Sequence, residues 1–229
     1  MTSSGAGPVV VRTIERADRA VVDELGLMGT ATVHEAAGQR GCAGADICPI
    51  QQDVRLSGTA VTVSCHPGDN LMIHAAVEVC QDGDVLVVTH TAPSTHGVFG
   101  ELLATSLRHR GVRALVVDAG VRDTAELRAM GFAVWSRHVS VEGTVKATPG
   151  SVNVPVVLRG VVVHPGDVVC ADDDGVVVIP RGDAPRVLDA ARARVEREEA
   201  TRARLAAGEL GLDIYGLRRK LHDLGVKYQ

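Results

Sequence analysis

The apolar residues of this chain fall into short, β-branched runs separated by segments of helical spacing. Residues 114–117 read Ala-Leu-Val-Val and residues 160–163 read Gly-Val-Val-Val, both strand-sized. A membrane helix needs roughly 18 consecutive apolar residues. These runs therefore point to sheet buried inside a protein, with no membrane partner. Hydrophobic residues make up 45% of the 229, enough for a real core. Aromatics make up only 2%, as one Trp, two Tyr and two Phe. Single-stranded nucleic-acid binders stack bases on aromatic side chains, and few are available here. The net charge of −4 offers no general basic field to a phosphate backbone. No nucleic-acid partner is expected.

Residues 15–37 have helical spacing, with a second short helix expected after Thr30. Residues 54–65 alternate and are β-branched, which predicts a strand. A turn at 66–70, a helix at 71–81 and a buried strand ending near His90 follow. Residues 91–100 read as a loop. Next come a helix closed by Gly111, a strand at 112–120, a short helix closed by Gly131 and a strand at 132–137. This alternation predicts an α/β architecture. From Val154 the chain turns β-rich, with Pro-Gly-Asp and Asp-Gly turns. A charged helix is expected at 182–209 and an amphipathic one at 212–225. No Gly-, Ser- or Pro-rich linker divides the chain. Residues 1–229 are thus expected to form one domain with a projecting C-terminal helical region from about 182. The first residues lack a signal-peptide pattern. Five cysteines at irregular spacing read as reduced thiols, so a cytoplasmic location is expected. Cys42 and Cys48 lack the second pair that a zinc site would need.

Three constellations could carry chemistry. In the first, Gly97-Val98-Phe99-Gly100 runs straight into the helix that starts Glu101-Leu102-Leu103. Unpaired N–H groups and the helix dipole favour an anion there; a plain spacer loop is the alternative. In the second, a buried strand ends at Asp118, turns at Gly120 and leads into Arg122 and Asp123. Ligands sit at such strand ends in α/β sheets. Equally, Asp123 with Glu126 reads as a helix cap with its capping-box partner. The third, Asp172-Asp173-Asp174-Gly175, lacks calcium-loop spacing and reads as a hairpin turn. His34 and Glu35 lie on a helix, His66 and Asn70 flank a turn, and His90 and His96 bracket the loop before Gly97. Glu196, Glu198 and Glu199 lie on the charged helix, where solvated carboxylates are the norm.

The stretches GELLATSLRHRGVRALVVDAGVRD, FAVWSR…GTVKATPGSVNVPV and PGDVVCADDDGVVVIP together resemble the ribonuclease-E-regulator-like (RraA-like) family. The C-terminal RLAAGELGLDIYGLRRKLHDLGVKYQ is similar to its longer members, the 4-hydroxy-4-methyl-2-oxoglutarate / 4-carboxy-4-hydroxy-2-oxoadipate aldolases. The likeness covers nearly the whole chain. It implies a β/β/α fold of the swivelling, phosphohistidine-like kind, assembled as homotrimers or homohexamers. It implies a class II pyruvate aldolase acting on a small oxo acid with Mg2+ or Mn2+, in aromatic-acid catabolism. An oxaloacetate decarboxylase side activity goes with it. Residue by residue, Asp123 would hold the metal, largely through waters. Arg122 would meet the keto oxygen. The amides of Leu102 and Leu103, beside Gly100 and Asn70, would hold the substrate carboxylate. Glu101 stands where relatives often have Asp, near the catalytic water. Glu35 and Glu198 would come from an adjacent subunit.

The chemistry needs an acceptor for the electron pair left when a 4-hydroxy-2-oxo acid is split. A Schiff-base enzyme uses a lysine. This chain has three, Lys146, Lys220 and Lys227, and only Lys146 precedes the C-terminal stretch. Lysine scarcity thus argues against an imine and for a divalent metal with a fixed guanidinium. Two other readings compete. Shorter relatives restrain ribonuclease E without catalysis, and a methyltransferase label has been attached to such sequences. No glycine-rich nucleotide loop for S-adenosylmethionine is seen.

Overall fold

The alternation expected in the middle of the chain is present. The structure, a computed structural model, describes residues 7–229. Two short helices come first, α1 (Arg19–Leu25) and α2 (Thr30–Ala36). They are followed by β1 (Cys48–Pro49), β2 (Leu56–Cys65), α3 (Leu71–Val79), β3 (Asp84–His90) and β4 (Gly97–Phe99). Then come α4 (Glu101–His109), β5 (Ala114–Val121), α5 (Thr124–Ala129) and β6 (Ala133–Val139). The second half holds β7 (Ser151–Val152), β8 (Val156–Leu158), β9 (Val161–Val163), β10 (Val168–Asp172) and β11 (Gly175–Ile179). Helices α6 (Ala184–Ala206), α7 (Gly211–Ile214) and α8 (Leu217–Asp223) end the chain.

The main sheet runs β1-β6-β5-β3-β2-β10-β11, with β4 added on β5 and β7 on β2. Strands β2, β3, β5 and β6 are parallel, and the pairings of β10 and β1 are antiparallel. Parallel strands buried on both faces read as continuous Val, Leu and Ala runs, as β3 and β5 do. On one face, Leu86, Val88, Leu115 and Val117 pack against Ile73 of α3, Leu107 of α4 and Leu127 of α5. On the other, Val85, Val87, Val116 and Trp135 meet Val156, Leu158 and Val163 of the β8–β9 hairpin. The result is the β/β/α layering that the family resemblance implies. A third cluster seats Val22 of α1, Val33 of α2 and Leu188 of α6 on Val168, Cys170 and Ile179.

Residues 42–49 draw the two ends of the sheet together. Cys42 bridges Val177 of β11, while Cys48 and Pro49 pair with β6. The indole Nε1 of Trp135 on β6 also donates to the carbonyl of Asp172 on β10, at 2.8 Å. The sheet is therefore a nearly closed barrel, filled by small β-branched residues and one Trp.

Two expectations need revision. The segment at 91–100 is not all loop, because Gly97–Phe99 forms β4. The final amphipathic helix is broken into α7 and α8 at Gly216, whose φ of 64° leaves the helical range. The acidic run is a hairpin tip as expected, with Asp172 paired to Gly175. Its Asp172 carboxylate accepts from the backbone N and hydroxyl of Thr30, at 2.8 and 2.5 Å, and so anchors the start of α2. Among the described residues no helix is long and apolar enough to cross a membrane.

Candidate active site

The chain leaves the sheet twice at one place. Strands β4 and β5 are parallel neighbours, with Gly97 opposite Gly120 and Phe99 opposite Val121. The Arg122 amide donates to the Phe99 carbonyl at 2.9 Å. Gly100 then opens α4 with an extended backbone and no side chain to cap it. The first N–H groups of a helix lack intrahelical acceptors. The Glu101 amide finds one in Asp123 Oδ2, at 3.1 Å. The amides of Leu102 and Leu103 follow on the same turn.

At Asp123 the capping-box reading of its segment does not hold. The residue occupies the cap position of α5, yet its side chain makes no capping bond, and its backbone is left-handed at φ 54°, ψ 40°. That conformation costs an L-residue roughly 1–2 kcal/mol. The carboxylate turns instead toward the start of α4. Gly100 makes room for it, since a Cβ there would overlap Asp123 Oδ2 and lie 3.2 Å from Arg122 Cγ. Arg122 Nε is 3.8 Å from Asp123 Oδ2, with the two side chains 49% and 41% exposed. Such a solvated pair adds little stability, so its effect is to orient the two groups.

Arg122 and Asp123 line a cleft of about 180 Å³ together with Asn70, His74, Leu102 and Lys146. Asn70 is buried. Its Nδ2 donates to the Val98 carbonyl at 3.0 Å, while its Oδ1 has no partner. His74 lies one helical turn further along α3, on the same face. Burial, and then the Lys146 charge, push its pKa below the usual histidine value of 6.5, so it is neutral at pH 7.

Lys146 reaches the cleft through Asp69. The buried Asp69 carboxylate accepts from the amides of Leu71, Ala147 and Thr148, at 2.8, 2.8 and 2.6 Å. Burial pushes its pKa up, but these N–H groups outweigh that and hold it below the ordinary 3.8. A depressed carboxyl contributes stability above its unfolded pKa and loses it as pH falls through the folded one. Asp69→Ala leaves three N–H groups without their acceptor. We expect it to cost about 2–3 kcal/mol in urea unfolding at pH 7, with the gap to the wild type narrowing below pH 3.8. An unchanged urea midpoint would contradict this anchoring role.

Sequence reading did not single out His74 or Lys146 as site residues. His74 carried a signal, its spacing of four from Asn70 on a helix. Lys146 carried none, because a tertiary contact delivers it. With Lys146 in the cleft, lysine scarcity no longer argues against an imine. The Glu101 side chain is not part of the cleft lining, although its amide holds Asp123. Glu35 and Glu198 lie outside the cleft of their own chain, on α2 and α6. Arg194 joins them, at 3.7 and 2.7 Å. The sequence reading places both only across a subunit boundary.

Asp123 supplies the carboxylate in this cleft. Mg2+ is commonly held by one or two carboxylates, keeping several waters and taking substrate oxygens. The donor set fits that mode. Among the described residues no group of three His, Cys, Asp or Glu could form an all-protein cage.

Residues 30–178 match the family model described as "RraA-like: Aldolase/RraA". The "Putative 4-hydroxy-4-methyl-2-oxoglutarate aldolase" of Halalkalibacterium halodurans is 30% identical over 176 residues, 77% of this chain and 83% of that relative. The crystal structure of Streptomyces coelicolor RraAS2, an unusual member of the RNase ES inhibitor RraA protein family, has a TM-score of 0.76 and 29% identity. The match covers 83% of this chain and 99% of that one. The S-adenosylmethionine:2-dimethylmenaquinone methyltransferase of Geobacillus kaustophilus has a TM-score of 0.61 and 28% identity, over 67% of this chain and 95% of its own. The model match alone spans well over half of the residues, and the chain belongs to the RraA-like family.

Proposed function

We propose that this protein is a divalent-metal-dependent pyruvate aldolase that splits 4-hydroxy-2-oxo acids. Its substrates would be 4-carboxy-4-hydroxy-2-oxoadipate, giving pyruvate and oxaloacetate, and 4-hydroxy-4-methyl-2-oxoglutarate, giving two pyruvates. One observation carries the reading. Arg122, an Asp123 whose carboxylate does not cap its own helix, and the start of α4 meet at one small cleft. The aldolase relative supports it.

Asp123 would hold Mg2+ or Mn2+, which when bound supplies a Lewis acid to polarise the 2-keto group. The amides of Leu102 and Leu103 would fix the adjacent carboxylate; Asn70 Oδ1, an acceptor, is open to a substrate hydroxyl, since its Nδ2 is taken by Val98. The C4 hydroxyl would pass its proton to a water in the cleft, the C3–C4 bond breaks, and its electron pair moves into the enolate of pyruvate. Arg122 meets the charge that grows on the enolate oxygen. Protonation at C3 completes pyruvate. Glu101, at the mouth of α4, would steer the water involved. Decarboxylation of oxaloacetate passes through the same enolate and is expected as a side activity. Assembly as a trimer or hexamer would bring Glu35 and Glu198 to a neighbour's cleft. The 80% exposed Leu102 and 94% exposed Val141 near the cleft suit such a contact.

Pyruvate release coupled to NADH oxidation tests the reading, with both hydroxy acids and oxaloacetate compared with and without Mg2+. No release from any of them would overturn it. The likeness to RraAS2, a member of the RNase ES inhibitor RraA family, favours a second reading, a ribonuclease-binding regulator. Copurification with a ribonuclease and no lyase activity would support that one. Within the aldolase reading, Gly100→Ala should displace the Asp123 carboxylate by an ångström or so and lower kcat/KM by about 100-fold. Turnover near wild type would show that Asp123 needs no such clearance.

A further inference from the structure

Arg194 joins two carboxylates that come from different helices. Its guanidinium lies 3.7 Å from Glu35 on α2 and 2.7 Å from Glu198, one turn further along α6. This bridge does little for stability. The side chains of Arg194, Glu35 and Glu198 are 35%, 40% and 39% exposed, and solvated pairs of this kind contribute little. An arginine four residues before a glutamate is also the weaker order on a helix. The two helices are already packed without it, since Val33 of α2 and Leu188 of α6 share one apolar cluster. Ala191 is the last buried residue of α6, so Arg194 stands where that helix leaves the body. Nor does the bridge consume the carboxylates. Glu35 is too far for a hydrogen bond, and Arg194 Nε, although 2.7 Å from Glu198, makes no aligned one. Glu198 also borders a hollow of about 470 Å³ beside Leu205 and Tyr215. Both carboxylates are thus held by charge, with lone pairs open to another donor.

We infer that Arg194 is a positioning residue, which holds Glu35 and Glu198 as one pair and aims it at the cleft of a neighbouring copy. Arg194 itself touches no substrate. The pair takes the C4 hydroxyl proton from the water in that cleft and returns it, through the same water, to C3 of the enolate. The proton count closes, because the hydroxyl becomes a carbonyl of the second product and its proton ends on pyruvate. This rests on the aldolase reading and on the assembly stated with it.

The test follows pyruvate release from 4-hydroxy-4-methyl-2-oxoglutarate by the assembled, Mg2+-loaded protein. Arg194→Met should lower kcat about tenfold and leave KM within about twofold. Its Tm and its affinity for Mn2+ should stay close to wild type, because the bridge is solvated and Asp123 is untouched. Arg194→Lys should recover part of kcat, since a point charge can still lie between two carboxylates. Chains carrying Arg194→Met and Asp123→Asn are then produced together in one cell. In randomly mixed rings about a quarter of the clefts combine an intact Asp123 with an intact Arg194 from the neighbour, so activity should rise about fivefold over the two variants assembled apart. No rise would confine Arg194 to its own chain and overturn the proposal. Arg194→Met within about twofold of wild type would overturn it too, as would a loss of activity matched by a fall in Tm or an active wild type that is monomeric. A wild type that releases no pyruvate removes the aldolase reading, and this inference falls with it.

Discussion

Arg122→Ala should lower kcat for pyruvate release by about 10²–10³, with a much smaller change in KM. The asymmetry follows from where charge develops. In the bound ground state the 2-keto oxygen is only polarised, whereas in the transition state it becomes an enolate oxygen. A guanidinium held beside it gains strength as the bond breaks, so removing it affects the chemical step most. The main chain that carries it is already fixed, by the bond from the Arg122 amide to the Phe99 carbonyl. Arg122→Lys should recover only part of the loss, because a point charge cannot reproduce the planar fork. Unchanged kcat with a raised KM would assign Arg122 to ordinary substrate binding.

Asp123→Ala should abolish metal-dependent turnover. The effect reaches beyond the lost ligand, because the Glu101 amide also loses its acceptor. Asp123→Asn separates the two contributions. An amide oxygen can still accept from Glu101 and tolerates the left-handed backbone, but it lacks the charge that attracts a divalent cation. Thermal stability close to wild type is therefore expected for Asp123→Asn. Mn2+ binding, followed by calorimetry, should be lost together with activity. Treatment of the wild type with a chelator should reproduce the loss, and Mg2+ or Mn2+ should reverse it. Full activity of Asp123→Ala in chelator-treated buffer would remove Asp123 from any metal role.

The central fold was legible because periodicity and burial agree there. The runs that became β3 and β5 are apolar on both faces, and Gly111 and Gly131 mark the helix ends that precede β5 and β6. β4 was not legible. Gly97-Val98-Phe99 shows no alternation, and it becomes a strand only by pairing with β5, more than twenty residues away in sequence. The break at Gly216 was signalled by the glycine itself, set in a pattern that otherwise stays amphipathic. At the site, the strand end before Arg122 and Asp123 pointed to ligand binding. Asp-Thr-Ala-Glu also spells a helix cap, and only the left-handed backbone of Asp123 separates the two. Lys146 was hidden for a different reason. Its place depends on Asp69, seventy-seven residues earlier, and no local pattern encodes that bond.

The pairing of β4 with β5 separates two kinds of tolerance. Thr91, Ala92 and Pro93 are exposed and precede β4, so a residue added there is taken up by solvent-facing chain. A residue added between Gly97 and Gly100 meets a strand only three residues long, next to a register shift. It would turn the following side chains to the opposite face and carry the start of α4 away from Asp123. Homologous chains should therefore differ freely in length before β4 and after β11, while the spacing from Gly97 to Asp123 stays constant. Length variation, more than residue identity, would mark where this cleft begins and ends.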